Sequence, residues 1–144
     1  MDYNTSFQIS ASGMSVEKLR LDVTAMNLAN MNSTAASVDQ LYRPMRVISQ
    51  EAPIGFAQQF GDLYAVQGGG TRVVSVEATA TAPRMVYEPG HPYADSKGFV
   101  SYPGVNHSSE MVNMMAALHA YEANVVAMNA AKTMAARTLE IGGQ

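Results

Sequence analysis

The side chains best suited to metal or acid–base work are three histidines, His91, His107 and His119. Their separations of 16 and 12 residues fit no metal-ligand spacing, and no His-Glu-x-x-His run is present. His119 is followed one helical turn later by Glu122, a fragment of an acid–base or metal pair that is ordinarily just a solvated helix pair. His91 sits in a Pro-Gly-His-Pro turn, where a structural role is the simpler reading. The carboxylates Glu77, Glu88, Asp95 and Glu110 fall in different predicted elements, and no pattern in the sequence places two of them at the separation a glycosidase needs. Gly68-Gly69-Gly70 lacks the lysine and the following Ser or Thr of a phosphate-binding loop and reads as a turn. Seven tyrosines occur without interleaved basic residues, which argues against a nucleic-acid stacking platform. Cysteine is absent, which removes disulfides and thiolate chemistry. An enzyme needs a pocket with convergent polar groups. The sequence offers none, and no catalytic residue, cofactor, metal, small-molecule substrate or nucleic acid is expected.

The elements that would have positioned such groups are instead arranged for packing. From Ser109 to Leu139, Met111, Met114, Leu118, Tyr121, Val125, Met128, Lys132, Ala135 and Leu139 recur at alternating spacings of 3 and 4. That is a heptad seam on a helix uninterrupted by Pro or Gly. A helix of this length is roughly 45 Å long, poorly matched to the core of a small globule. Ser108 is the expected N-cap, with Glu110 in the first turn, and Gly142-Gly143 closes the helix. The N-terminus carries a second helix, from about Phe7 to Met31, opened by a Thr5-x-x-Gln8 capping box. Its seam is Val16, Leu19, Val23, Met26 and Asn30, with a second stripe of Met14, Leu21, Ala25 and Leu28 beside it. Two apolar stripes require more than one neighbour.

The 70 or so residues between the helices lose the helical period. Strands are predicted at 43–50, 71–80, 84–87 and 98–102, with a short one around 63–66 inside a Gly- and Pro-punctuated loop spanning 51–70. The predicted architecture is α+β. Residues 1–34 and 109–144 form long helices paired antiparallel in a coiled-coil-like stem, and 35–108 form a small, mostly antiparallel β insertion. Charged residues make up only 15% of the chain, as expected where much surface is buried against other chains, though a neutral polar surface gives the same figure. Net charge is −3, and the basic residues are scattered. No basic patch for nucleic acid or anionic membrane results. The first residues lack the pattern of a cleaved secretory signal, so any export is expected to use another route.

Several segments together resemble the bacterial flagellar rod, hook and hook-associated proteins. Asn27-Leu28-Ala29-Asn30 is similar to that family's Ser-Asn-Leu-Ala-Asn motif, with Met26 where Ser is usual, and Tyr42-Arg43 follows as it does there. Val86 to Val100 is similar to the family's Tyr-Glu-Pro-Gly segment. Glu110-Met111-Val112-Asn113 and Ala120-Tyr121-Glu122-Ala123-Asn124-Val125 resemble the start and middle of its C-terminal helix. Length points to the small members of the proximal rod. The resemblance implies export by the flagellar type III apparatus and ends that fold on assembly into helices lining a tube. It also implies a place in the periplasmic rod of the basal body. There the chain would help transmit torque and enclose the export channel. The partners implied are copies of the chain itself, other rod proteins, the rod–membrane-ring adaptor, the distal rod and the export apparatus. The side chains expected to carry assembly and packing are Leu19, Val23, Met26, Asn27, Asn30, Met111, Met114, Leu118, Tyr121, Val125 and Met128. On residue chemistry alone, a soluble helical adaptor or chaperone-like binding protein would show the same features.

Overall fold

The computed structural model describes residues 3–52 and 69–142. In chain order its elements are α1 (Tyr3–Asn30), one 3-10 turn (Val38–Gln40), β1 (Met45–Glu51), β2 (Thr71–Ala78), β3 (Arg84–Tyr87), β4 (Phe99–Tyr102) and α2 (His107–Gly142). Two long helices with two small antiparallel sheets make an α+β architecture. The strand predicted at 63–66, and most of the predicted loop around it, lie outside the described residues. The four strands do not form one sheet. Among the described residues, β1 pairs only with β2, and β3 only with β4.

With 28 and 36 residues, α1 and α2 are roughly 42 and 54 Å long at the α-helical rise. α1 is already helical at Tyr3, so Thr5 lies inside the helix rather than at its N-cap. Its C-terminal end is built by asparagine and serine. The Asn30 amide donates to Met26 O at 2.8 Å, and the Ser33 backbone and hydroxyl both donate to Asn30 O. These are the local bonds that draw such residues to helix ends and turns. α2 begins two residues before the predicted start. Its N-cap is Asn106, whose side-chain oxygen accepts the Ser109 N–H at 3.1 Å, so Ser108 lies within the first turn. Asparagine and serine cap about equally well, and Asn106 is the first such residue after the extended Pro103-Gly104 turn.

The helices lie against each other, and the β1–β2 sheet lies against α1. Gly13 faces Asn124 closely enough that a Cβ there would meet the Asn124 amide at 2.9 Å. Further along α1, Asn27 reaches Glu110 at the start of α2. The sheet is strapped to α1 by three polar contacts. Ser12 Oγ accepts the Thr71 N–H, Arg20 donates to Ser49 Oγ, and Asn27 bonds the backbone of Met45. Positions 12, 20 and 27 are about two turns apart, so they share one face of the helix. Gly70, at φ +128°, brings β2 against Ser12 in a conformation few other residues accept. In the β1–β2 ladder Val47 faces Val76, and Val74 is the extra residue of a bulge where the register shifts between Ile48 and Ser49.

The β3–β4 hairpin has an inner and an outer face. Val86 opposes Val100, which is fully buried together with Pro103. Tyr87 and Phe99 meet edge to face on the outer side, with ring centroids 5.4 Å apart. Its loop is tied down by Asp95, whose Oδ1 accepts the N–H groups of Lys97 and Phe99, both at 2.8 Å. The Phe99 bond leads in holding the Asp95 carboxyl below the ordinary carboxylate range, against an opposing desolvation effect. The buried apolar side chains are few and small: Val16, Val23, Leu41, Val47, Val100, Ala117 and Ala131. Each buried valine contributes about 1.5–2 kcal/mol.

Candidate assembly site around Asn27

Asn27 is a hub among the polar side chains of the described residues, with four hydrogen bonds. It is 2% exposed. Its Oδ1 accepts the Met45 N–H at 2.9 Å and the Tyr42 hydroxyl at 2.7 Å. Its Nδ2 donates to Met45 O at 2.8 Å and to Glu110 Oε2 at 3.0 Å. Two donors and two acceptors are the full capacity of an amide, so nothing is left unsatisfied. The Met45 N–H can only donate, and the Met45 carbonyl can only accept. The amide therefore has one workable orientation.

This side chain joins α1, the connector, the first residue of β1 and the first turn of α2. Burial, followed by the negative charge of Glu110, raises the Tyr42 phenol above its ordinary pKa, so the hydroxyl stays a donor to Asn27. Thr24, one turn before Asn27 on α1, is buried as well. The arrangement holds elements in place and contains no nucleophile, and no proton-transfer relay is evident in it. Among the described residues, no group of three metal-ligating side chains occurs. His119 and Glu122 form an exposed contact at 3.6 Å on α2.

The residues singled out by sequence separate into two sets. Val23 and Asn27 are buried; Leu19, Asn30, Met114, Tyr121, Val125 and Met128 are half-buried. Met26, Met111 and Leu118 are exposed, Leu118 by 44%. The side of α2 turned toward the rest of the chain carries Glu110, Met114, Ala117, Ala120, Tyr121, Asn124, Val125, Met128, Ala131 and Ala135. It shares Met114, Tyr121, Val125, Met128 and Ala135 with the predicted seam. Elsewhere it lies one residue earlier, using Ala117 in place of Leu118 and Ala131 in place of Lys132. Alanine lets the helices approach closely. The larger side chains Met111, Met115 and Leu118 then lie together on a separate, outward face. Sequence reasoning missed the straps from Ser12 and Arg20 and the role of Glu110 as an Asn27 partner. Tyr42 was visible only as part of a motif.

The fold thus combines a buried polar network at one end of a long helix pair with an exposed apolar face on α2. Comparison with known proteins gives the family. Residues 7–35 match the family model of flagella basal body rod proteins, and residues 96–141 match that of the flagellar basal body rod FlgEFG protein C-terminal region. The chain is 39% identical over 137 residues to flagellar basal-body rod protein FlgC of Escherichia coli O6:H1, spanning 94% of this chain and 95% of that one. It is 34% identical over 147 residues to FlgC of Bacillus subtilis, at 95% and 96% coverage, and 32% identical over 152 residues to FlgC of Borreliella burgdorferi, at 95% of each chain. The class is therefore the structural proteins of the flagellar rod, which are not enzymes. Within it, the chain belongs to the family of flagellar basal-body rod protein C, FlgC. Its place is the basal-body rod, where the family assembles with other rod components.

Proposed function

We propose that the chain polymerises through its terminal helices, residues 1–34 and 109–144, with 35–108 projecting as a β insertion. The helices pair antiparallel in a coiled-coil-like stem. Gly13 against Asn124 and Asn27 against Glu110 support that direction, since one number rises as the other falls. In the proximal rod such stems line a tube that transmits torque and encloses the export channel. The partners are further copies, other rod proteins, the rod–membrane-ring adaptor, the distal rod and the export apparatus. Leu19, Val23, Met26, Asn27, Asn30, Met111, Met114, Leu118, Tyr121, Val125 and Met128 divide this work between holding the chain together and meeting neighbours.

The observation that carries the reading is the outward apolar face of α2. Met111, Met115 and Leu118 are separated by 4 and 3 residues and remain exposed after α1 has taken the other face. Replacing Leu118 with Asp tests it. Because Leu118 is exposed, its replacement costs the isolated protein little beyond the lower helix propensity of Asp, about 1 kcal/mol or less. Rod incorporation in a strain lacking the native subunit is expected to be abolished. Normal incorporation of this variant would refute the assignment of that face.

A further inference from the structure

β1 and β2 form a ribbon of two strands, so β2 has an edge that β1 does not use. Rows along an antiparallel ladder alternate between those that bond across it and those whose backbone groups point away. Asn27 holds both the N–H and the carbonyl of Met45, which makes the Met45–Ala78 row one that points away. Two residues on, the Val47–Val76 row does the same. The N–H and carbonyl of Val76 and Ala78 are therefore directed out of the ribbon, and among the described residues no other strand takes them. Ser12 covers this edge at Thr71, its far end. Val73, Val74 and Val76 are exposed. An exposed, valine-rich edge is a template for another strand.

The order of residues along β2 names the occupant. Arg72, Ser75 and Glu77 stand opposite Gln50, Ile48 and Arg46, alternate residues of β1, so the bulge at Val74 has put all three on one face. With Val73 and Val74 counted as a single step, Arg72 and Glu77 lie two steps either side of Ser75, and the bulge and Val76 lie one step either side. Laid antiparallel to a copy of itself about Ser75, the strand sets each Arg72 opposite a Glu77 and each bulge valine opposite a Val76. Opposite charges and β-branched side chains are favourable cross-strand pairs. We propose that two copies of the chain pair edge to edge through β2 as a two-fold dimer, with strand order β1–β2–β2–β1. A closed two-fold contact cannot propagate into a filament, so the pair belongs to the unassembled chain. The contact is short, well under the ~1,000 Å² of a stable interface, and the pair falls apart on dilution. It uses neither helix face, so it goes beyond the proposed function and does not rest on it.

Sedimentation equilibrium tests it, with Leu118→Asp in every chain so that the outer face of α2 does not contribute. The apparent mass is expected to rise from one chain toward two as concentration is raised to about 1 mM. Arg72→Glu and Glu77→Arg each set like charges opposite one another, and each alone is expected to stay monomeric with unchanged helicity. Mixed in equal amounts, the two variants are expected to associate again, because every acidic position of one chain then meets a basic position of the other. A native β2 that stays monomeric throughout this range would overturn the inference. So would a mixture no more associated than its components. Rod incorporation is a separate readout, and its failure would count against the proposed function alone.

Discussion

α1 and α2 are both long, both apolar and both heptad-patterned, yet the fold uses them differently. α1 is enclosed from two sides, by α2 and by the β1–β2 sheet. Its buried line includes Ser10, Thr24 and Asn27 beside Val16 and Val23. α2 packs on α1 yet leaves Met111, Val112, Met115, Leu118 and Val126 exposed. Asn27 can be buried on α1 because the backbone of Met45, at the start of β1, lies beside it to be bonded. Among the described residues, no strand packs along α2 as β1 and β2 pack along α1. On the proposed reading, the enclosed helix sets the geometry of the chain and the open helix meets its neighbours.

That contrast is easiest to break by placing the same charge on each helix. Val23 is 3% exposed. Val23→Asp buries an unpaired carboxylate and is expected to cost about 4 kcal/mol or more, enough to unfold the chain in a denaturant titration. The matching change at Leu118 should leave the midpoint nearly unmoved. Equal losses at the two positions would show that the helices are not distinguished by enclosure.

A smaller effect is expected at the hub. Asn27→Ala strands the Met45 N–H and carbonyl and the Tyr42 and Glu110 side chains, at a cost of ~2–4 kcal/mol after partial rehydration. Hydrogen exchange should then rise at the end of α1 and the start of β1 before it rises in the middle of α2. A uniform rise would remove Asn27's claim to join separate elements.

The smallest expected effect is alkaline. Burial, then the charge of Glu110, raises the Tyr42 pKa above its ordinary 10.0. A raised phenol pKa means that the folded chain favours the neutral hydroxyl more than the unfolded chain does. The stabilisation is complete below the ordinary value and is lost as pH climbs from there through the folded value. Unfolding midpoints taken on either side of about pH 10 should fall with alkali, and fall less steeply in Tyr42→Phe. An identical slope in that variant would place the alkaline loss elsewhere.

Much of this contrast was legible in the sequence. Both helices follow from their periodicity, and four strands follow from β-rich runs between Gly and Pro. The two stripes on α1 already required two neighbours for it. The phase of α2 was harder to read. The heptad count favours Leu118 and Lys132, whereas the structure buries Ala117 and Ala131 one residue earlier and leaves Leu118 exposed. The Asn27 network was illegible for another reason. Its partners lie 15, 18 and 83 residues away, distances at which no local pattern operates. The division into two sheets rather than one likewise depends on α1 holding β1–β2 along its length, which strand propensity does not encode.

The central claim is that the outer face of α2 is open in the single chain and covered in the rod. The chain has no native cysteine, so one introduced thiol reports on one position. Leu118→Cys should react rapidly with a maleimide in the isolated protein and be protected in purified basal bodies. Val23→Cys should be slow in both. Equal labelling of Leu118→Cys before and after assembly would contradict the account.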